Sequence, residues 1–152
     1  MKAKRVIPAA SSRFAAQIFN ILSVTALLVS LVALTLGKLL AGHKIGFLPF
    51  VLSLPPVMLW LAASIFVYAA IAHHPNPRTV FYNKWAGYRF YGVMGSLVVF
   101  GQPLYGLFGG WQGLMLVLGL AVAIIVPWSL WDIYRAAREP WQDITLEVDL
   151  HE

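Results

Sequence analysis

Four long stretches of the chain are apolar almost without interruption, at about 14–36, 47–72, 90–110 and 111–133. Continuous apolar runs, as opposed to alternation, predict helices. A hydrocarbon layer about 30 Å thick calls for roughly 20 such residues at about 1.5 Å of rise each. Lys, Arg, Asp and Glu do not occur inside the first three runs, and Asp132 stands at the margin of the fourth. The pattern predicts an all-α integral membrane protein with four transmembrane helices. A barrel would need alternating strands in larger number. The first run is too long for the roughly 7–15-residue core of a signal peptide and is read as an uncleaved span.

Two runs contain breaks. Pro55 and Pro56 remove backbone donors, so the second helix either begins near Pro55 or is kinked there. The third run must continue, kinked, through Gly101, Gln102 and Pro103, because it is too short to cross otherwise. Glycines near Gly109 predict a tight turn into the fourth helix. The pairs Gly92/Ser96, Gly106/Gly110 and Gly119/Ala123 have the small-xxx-small spacing that lets helix backbones approach closely.

Composition agrees. Of 152 residues, 60% are hydrophobic and 11% charged, with a mean hydropathy of +0.75; a soluble domain averages roughly 45–50% apolar and about 25% charged. That excludes a disordered chain and an ordinary soluble enzyme, and the lack of cysteine excludes a disulfide scaffold or a thiol oxidoreductase. The net charge of +5 is explained by its distribution and calls for no nucleic acid. Lys2, Lys4, Arg5, Arg13, Arg78, Lys84, Arg89, Arg135 and Arg138 are nine of the eleven basic residues, and they fall on one side of a four-span arrangement; Lys38 and Lys44 fall on the other. The positive-inside bias therefore predicts a cell-membrane protein with both termini cytoplasmic. Its parts are a basic arm (1–13), a membrane domain (14–139) and an acidic tail (140–152).

Residues from Phe81 to Tyr91 read as a short interfacial helix in the second loop, rich in aromatic and basic side chains suited to anionic headgroups. A matching collar closes the fourth run: Trp128, Trp131, Tyr134, Arg135 and Arg138, with Pro140 ending the helix. Asp132, three residues before Arg135, predicts a helix-surface ion pair between those two. Beyond Trp141, apolar and polar residues alternate through Ile144, Leu146, Val148 and Leu150, the period of a half-buried strand. No other segment reads as its partner, so the tail is expected to be disordered or to add to a sheet on another protein.

Candidate chemistry is sparse. His43 lies in the first loop and His73 and His74 at the opposite end of the second run, with His151 in the tail, so they cannot form a pair of axial haem ligands. They read instead as interfacial side chains bonded to headgroups or loop backbone. All six acids lie at or beyond Asp132, which argues against a carrier coupled through a buried carboxylate. Gln102, inside the third run, reads as an interhelical hydrogen-bonding group. The expected function is a non-enzymatic membrane subunit, without metal or cofactor, that anchors, assembles or regulates a larger complex. Its partners would be anionic lipid at the cytoplasmic face and another membrane or cytoplasmic protein. The partner-binding residues would be Ile144, Leu146, Val148 and Leu150 on the tail, and Trp85, Tyr88, Arg89, Trp131, Tyr134, Arg135 and Arg138 on the inner surface. The alternatives are a small oligomeric carrier or lipid-handling protein, an electron-transfer anchor, and a membrane immunity protein against a toxin.

Overall fold

A computed structural model describes the backbone of residues 2–41 and 45–149, the side chains of 2–3, 110–111 and 148–149 excepted. The element order is β1 (Lys2–Ile7), α1 (Ala9–Ala41), α2 (Leu48–Ala72), α3 (Pro77–Phe108), α4 (Gly110–Arg138) and β2 (Ile144–Asp149). Three of the helices are long and apolar enough to cross a membrane: α1, α2 and, within α4, Gln112–Arg138. The helices run up and down as a bundle. α1 packs most heavily on α2 and α4, α4 also packs on α3, α2 and α3 touch lightly, and α2 and α4 touch least.

Prolines interrupt none of the helices. α2 begins ahead of Pro55 and Pro56 and runs on past them, α3 continues through Pro103, and α4 continues through Pro127. Nor is there a separate interfacial helix. Residues 81–91 lie within the 32-residue α3, which at about 1.5 Å per residue is some 48 Å long. The aromatic and basic residues are helix formers of ordinary quality, and nothing between Asn76 and Gly109 terminates the hydrogen-bond ladder. Asn76 starts this helix by accepting the Arg78 N–H on Oδ1 at 2.9 Å, with Pro77 at the first position. Gly109 ends it at φ 67°, a left-handed conformation that only glycine adopts cheaply, and α4 starts at the next residue. At the other end, α4 stops at Arg138, two residues ahead of Pro140.

The strand expected in the tail is present, but it is not alone. β1 pairs with it antiparallel, Ile7 opposite Ile144, Arg5 opposite Leu146 and Lys4 opposite Glu147. The basic arm therefore supplies the partner that was not expected from within the chain. Its lysines and arginine obscure the strand pattern, while the register sets Lys4 against an acid across the ladder. The alternation in β2 is real: Ile144 and Leu146 are half-buried, Thr145 and Glu147 exposed. Leu150, His151, His43 and Lys44 lie outside the described residues, as does the Val148 side chain.

The centre of the bundle is aromatic. Phe19 is 1% exposed and meets Trp60, Phe90, Tyr91 and Tyr68 edge-on, at ring-centroid distances of 5.3, 5.9, 6.0 and 6.3 Å. Polar atoms here find partners inside. Trp60 Nε1 donates to Ser23 Oγ at 3.0 Å, Ser23 Oγ donates to the Phe19 carbonyl at 2.8 Å, and the Ser64 and Tyr91 hydroxyls lie 3.0 Å apart. The expected small-residue contacts fall elsewhere. Gly92, Gly106 and Gly119 face open space, whereas a Cβ on Gly113 would lie 2.7 Å from Tyr105 Cα across the α3–α4 turn. Gln102 is likewise exposed on α3 and is not buried between helices.

These glycines make a paired test. Gly113→Ala should destabilise the fold by about 1–3 kcal/mol, because rigid backbone must move. Gly106→Ala should leave stability unchanged or raise it by up to about 1 kcal/mol through helix propensity. Thermal unfolding in one detergent, followed by circular dichroism, measures both.

Candidate functional site

Charge and aromatic surface converge at the end of the bundle that carries the two-stranded sheet. α3 and α4 leave the Gly109 turn antiparallel, so residues at similar sequence distance from that turn face each other. Arg89 meets Asp132, Tyr82 meets Glu139 and Arg78 meets Pro140 in this way. The ion pair of Arg89 Nη2 with Asp132 Oδ2 measures 2.5 Å, with both side chains largely buried at 16% and 12% exposure. Asn20 on α1 accepts from the same nitrogen at 3.4 Å. Asp132 is thus neutralised by another helix and not by Arg135, three residues along its own, as its spacing predicts. Arg135 instead lies 3.6 Å from Glu139. The reason is burial: a carboxylate withdrawn from water gains more from a buried guanidinium than from one that is half exposed.

Glu139 is the second node. It accepts from the Tyr82 hydroxyl at 2.7 Å on Oε1, and Arg78 Nε approaches Oε2 at 3.6 Å. Burial and the adjacent carboxylate push the Tyr82 phenol up to about 12, so it remains a neutral donor. Arg78 also donates to the Pro140 carbonyl at 2.8 Å and stacks 5.8 Å from the Trp141 ring, and Trp141 Nε1 donates to the Ala136 carbonyl at 2.7 Å. Two further bonds join α1 to this end: Thr79 Oγ1 to the Ser12 carbonyl at 2.9 Å, and Gln17 Nε2 to the Ile133 carbonyl at 2.9 Å. The Ala9 N–H at the start of α1 donates to Asp143 Oδ1 at 2.7 Å, a carboxylate at the positive end of the helix dipole.

Between α3 and α4 at this end lies a groove of about 550 Å³. Of the inner-surface residues expected from sequence, Trp85, Tyr88, Arg89, Trp131 and Arg135 all line it, joined by Phe81, Tyr82, Ile124, Trp128 and Asp132. Tyr134 and Arg138 stand beside it: Tyr134 stacks on Trp131 at 5.9 Å, and the Arg138 guanidinium lies 5.2 Å from the Tyr134 ring. Trp85, Tyr88, Trp128 and Trp131 are more than half exposed. The tail residues Ile144 and Leu146 do not join this groove; they belong to the sheet with β1.

The histidines stay apart from it. His73 is exposed, and His74 accepts the Asn76 N–H on Nδ1 at 3.1 Å, a loop-backbone contact. Partial burial holds the His74 imidazole below its ordinary value. Among the described residues, no three of His, Asp and Glu come together as metal ligands would. Sequence reasoning missed the roles of Asn20, Tyr82 and Glu139. The signal was available in the near-symmetry of Arg89 and Asp132 about Gly109. No protein-family model matches the chain, and neither a curated protein nor a solved structure matches it.

The ion pair gives a sharp expectation. Asp132→Ala leaves the Arg89 guanidinium buried without its counter-ion and should destabilise the fold by roughly 3–5 kcal/mol, whereas Arg89→Met combined with Asp132→Leu should recover most of that loss. Thermal unfolding of the single and double variants in the same detergent reads the difference.

Proposed function

We propose that the protein is a non-enzymatic, multi-pass subunit of the cell membrane that anchors, assembles or regulates a larger complex through its cytoplasmic face. The observation that carries this reading is the joining of both chain ends in one sheet beside the α3–α4 groove. Two strands that share hydrogen bonds must lie on the same side of a bilayer, which requires an even number of crossings. Three helices have the length and apolarity to cross. On this reading α3 is the fourth, its second half within the hydrocarbon and its Arg78–Arg89 half at the surface. Large apolar side chains that face outward, among them Leu39, Leu59, Phe66, Val98 and Leu107, agree with a lipid surround, since such a surface is costly in water. Nine of the eleven basic residues then lie on the sheet side, which the positive-inside bias assigns to the cytoplasm.

At that face the protein offers two kinds of docking feature. Among the described residues the sheet has two strands, so each presents an outer edge to which a further strand could be added. The collar presents Trp131, Tyr134 and Arg135 half exposed, residue types that dominate binding hot spots. Strand addition to the tail alone is superseded; a partner strand would extend the existing pair. The carrier alternative has less behind it, because Gln102 faces outward from the bundle.

Site-specific photo-cross-linking tests the reading. A photoreactive residue in place of Tyr134 should give a discrete protein adduct in intact cells, and one in place of Leu39 at the far end of α1 should give none. Adducts at Leu39 with none at Tyr134 would place the contact surface at the wrong end.

A further inference from the structure

We propose that the groove between α3 and α4 is a binding site for one anionic phospholipid, its phosphate met by Arg135 and Lys84 and one acyl chain lying against Trp128 and Ile124. The proposal rests on the protein residing in a membrane, and not on its having a protein partner.

Charge complementarity identifies the occupant. Arg78, Lys84, Arg89, Arg135 and Arg138 stand at this end of α3 and α4 against Asp132 and Glu139. Asp132 is matched by Arg89, and Glu139 is approached by both Arg78 and Arg135 while also accepting from Tyr82. Three positive charges are left in excess: Arg138 lies beside the groove over Tyr134, and the other two are Arg135 and Lys84. The latter two are available where the groove opens: the Arg135 side chain is 46% exposed, and Lys84, also exposed, lies 5.6 Å from the ring of Tyr88 on the groove wall. An anion can therefore bind without breaking the Arg89–Asp132 pair beneath it.

Polarity along the groove identifies the rest of the molecule. From the sheet end toward the middle of α4, the lining passes from Arg135 and Asp132 to Trp131 and Trp128 and then to Ile124. This is the order of phosphate, glycerol ester and acyl chain in a lipid leaflet, with Trp at the ester level that it favours. A free phosphate would use only the charged end. A peptide helix would have no need of an excess of positive charge at one end of its path. The volume of about 550 Å³ lies within the range of small-ligand pockets and accommodates a headgroup with the upper part of one chain.

Native mass spectrometry of the full chain, released from detergent, tests the site. The probes are phosphatidylglycerol, phosphatidylcholine of the same chains, and glycerol phosphate as headgroup alone. The expected result is saturable retention of one phosphatidylglycerol, about fivefold or more tighter than phosphatidylcholine, and no retention of glycerol phosphate. Lys84→Gln and Arg135→Gln should each weaken phosphatidylglycerol by about fivefold while leaving phosphatidylcholine unchanged, and Arg135→Lys should keep the preference. Trp128→Ala with Trp131→Ala should weaken both lipids. Equal retention of the two lipids, retention of glycerol phosphate as strong as that of the lipid, or an undiminished preference in Lys84→Gln would overturn the proposal. Lys84 is exposed, so that variant decides even if Arg135→Gln fails to fold. Loss of the Tyr134 cross-link would bear on the partner reading alone.

Discussion

The antiparallel pairing of β1 with β2 constrains everything else in the molecule. Six residues from each chain end meet in register, so the first and last helices must finish side by side at one end of the bundle. A two-stranded sheet is marginal by itself. Here the helices hold it, because Asp143 at the foot of β2 binds the first backbone N–H of α1, and Trp141 packs against the buried Ala16, Tyr82 and Ala136. With the ends fixed, the short Gly109 turn sets α3 against α4, and α1 lies against both through Thr79 and Gln17.

The same closure gathers the ionised groups. Every acid among the described residues lies at the sheet end, and α1 and α3 contribute polar partners or a capping bond there. The Arg89–Asp132 pair sits one or two turns inside, where desolvation makes two separate charges expensive and one neutral pair tolerable. Aromatic rings then occupy the band between these charges and the apolar middle. Beside that pair, toward the centre of the bundle, the interior is held by edge-on aromatic packing around Phe19.

The helices were legible in the sequence because continuous apolar runs carry a strong signal. The continuation of α3 through Pro103 was legible, but whether α2 begins at Pro55 and Pro56 or runs through them was not, since a proline in a long helix need only disturb the ladder locally while neighbouring turns and packed helices keep it intact. β2 was legible from Ile144–Leu146 alternation, but β1 was not. Lys2, Lys4 and Arg5 read as a topology signal, and the same residues form a strand whose register sets Lys2 and Lys4 against acids and Arg5 against Leu146. Five of the seven inner-surface residues singled out by aromatic and basic character do share one groove. What composition could not supply was pairing: Asp132 has Arg135 nearby in sequence and Arg89 nearby in space, and burial favours the second.

Joining of the two chain ends is measured most directly by cross-linking across the ladder. The chain has no cysteine of its own, so Val6→Cys with Thr145→Cys, opposite one another in the register, introduces a single reporting pair. Mild oxidation in native membranes should give a disulfide within one chain, in high yield. Reaction only between chains, or none while both cysteines remain open to a thiol reagent, would contradict the account.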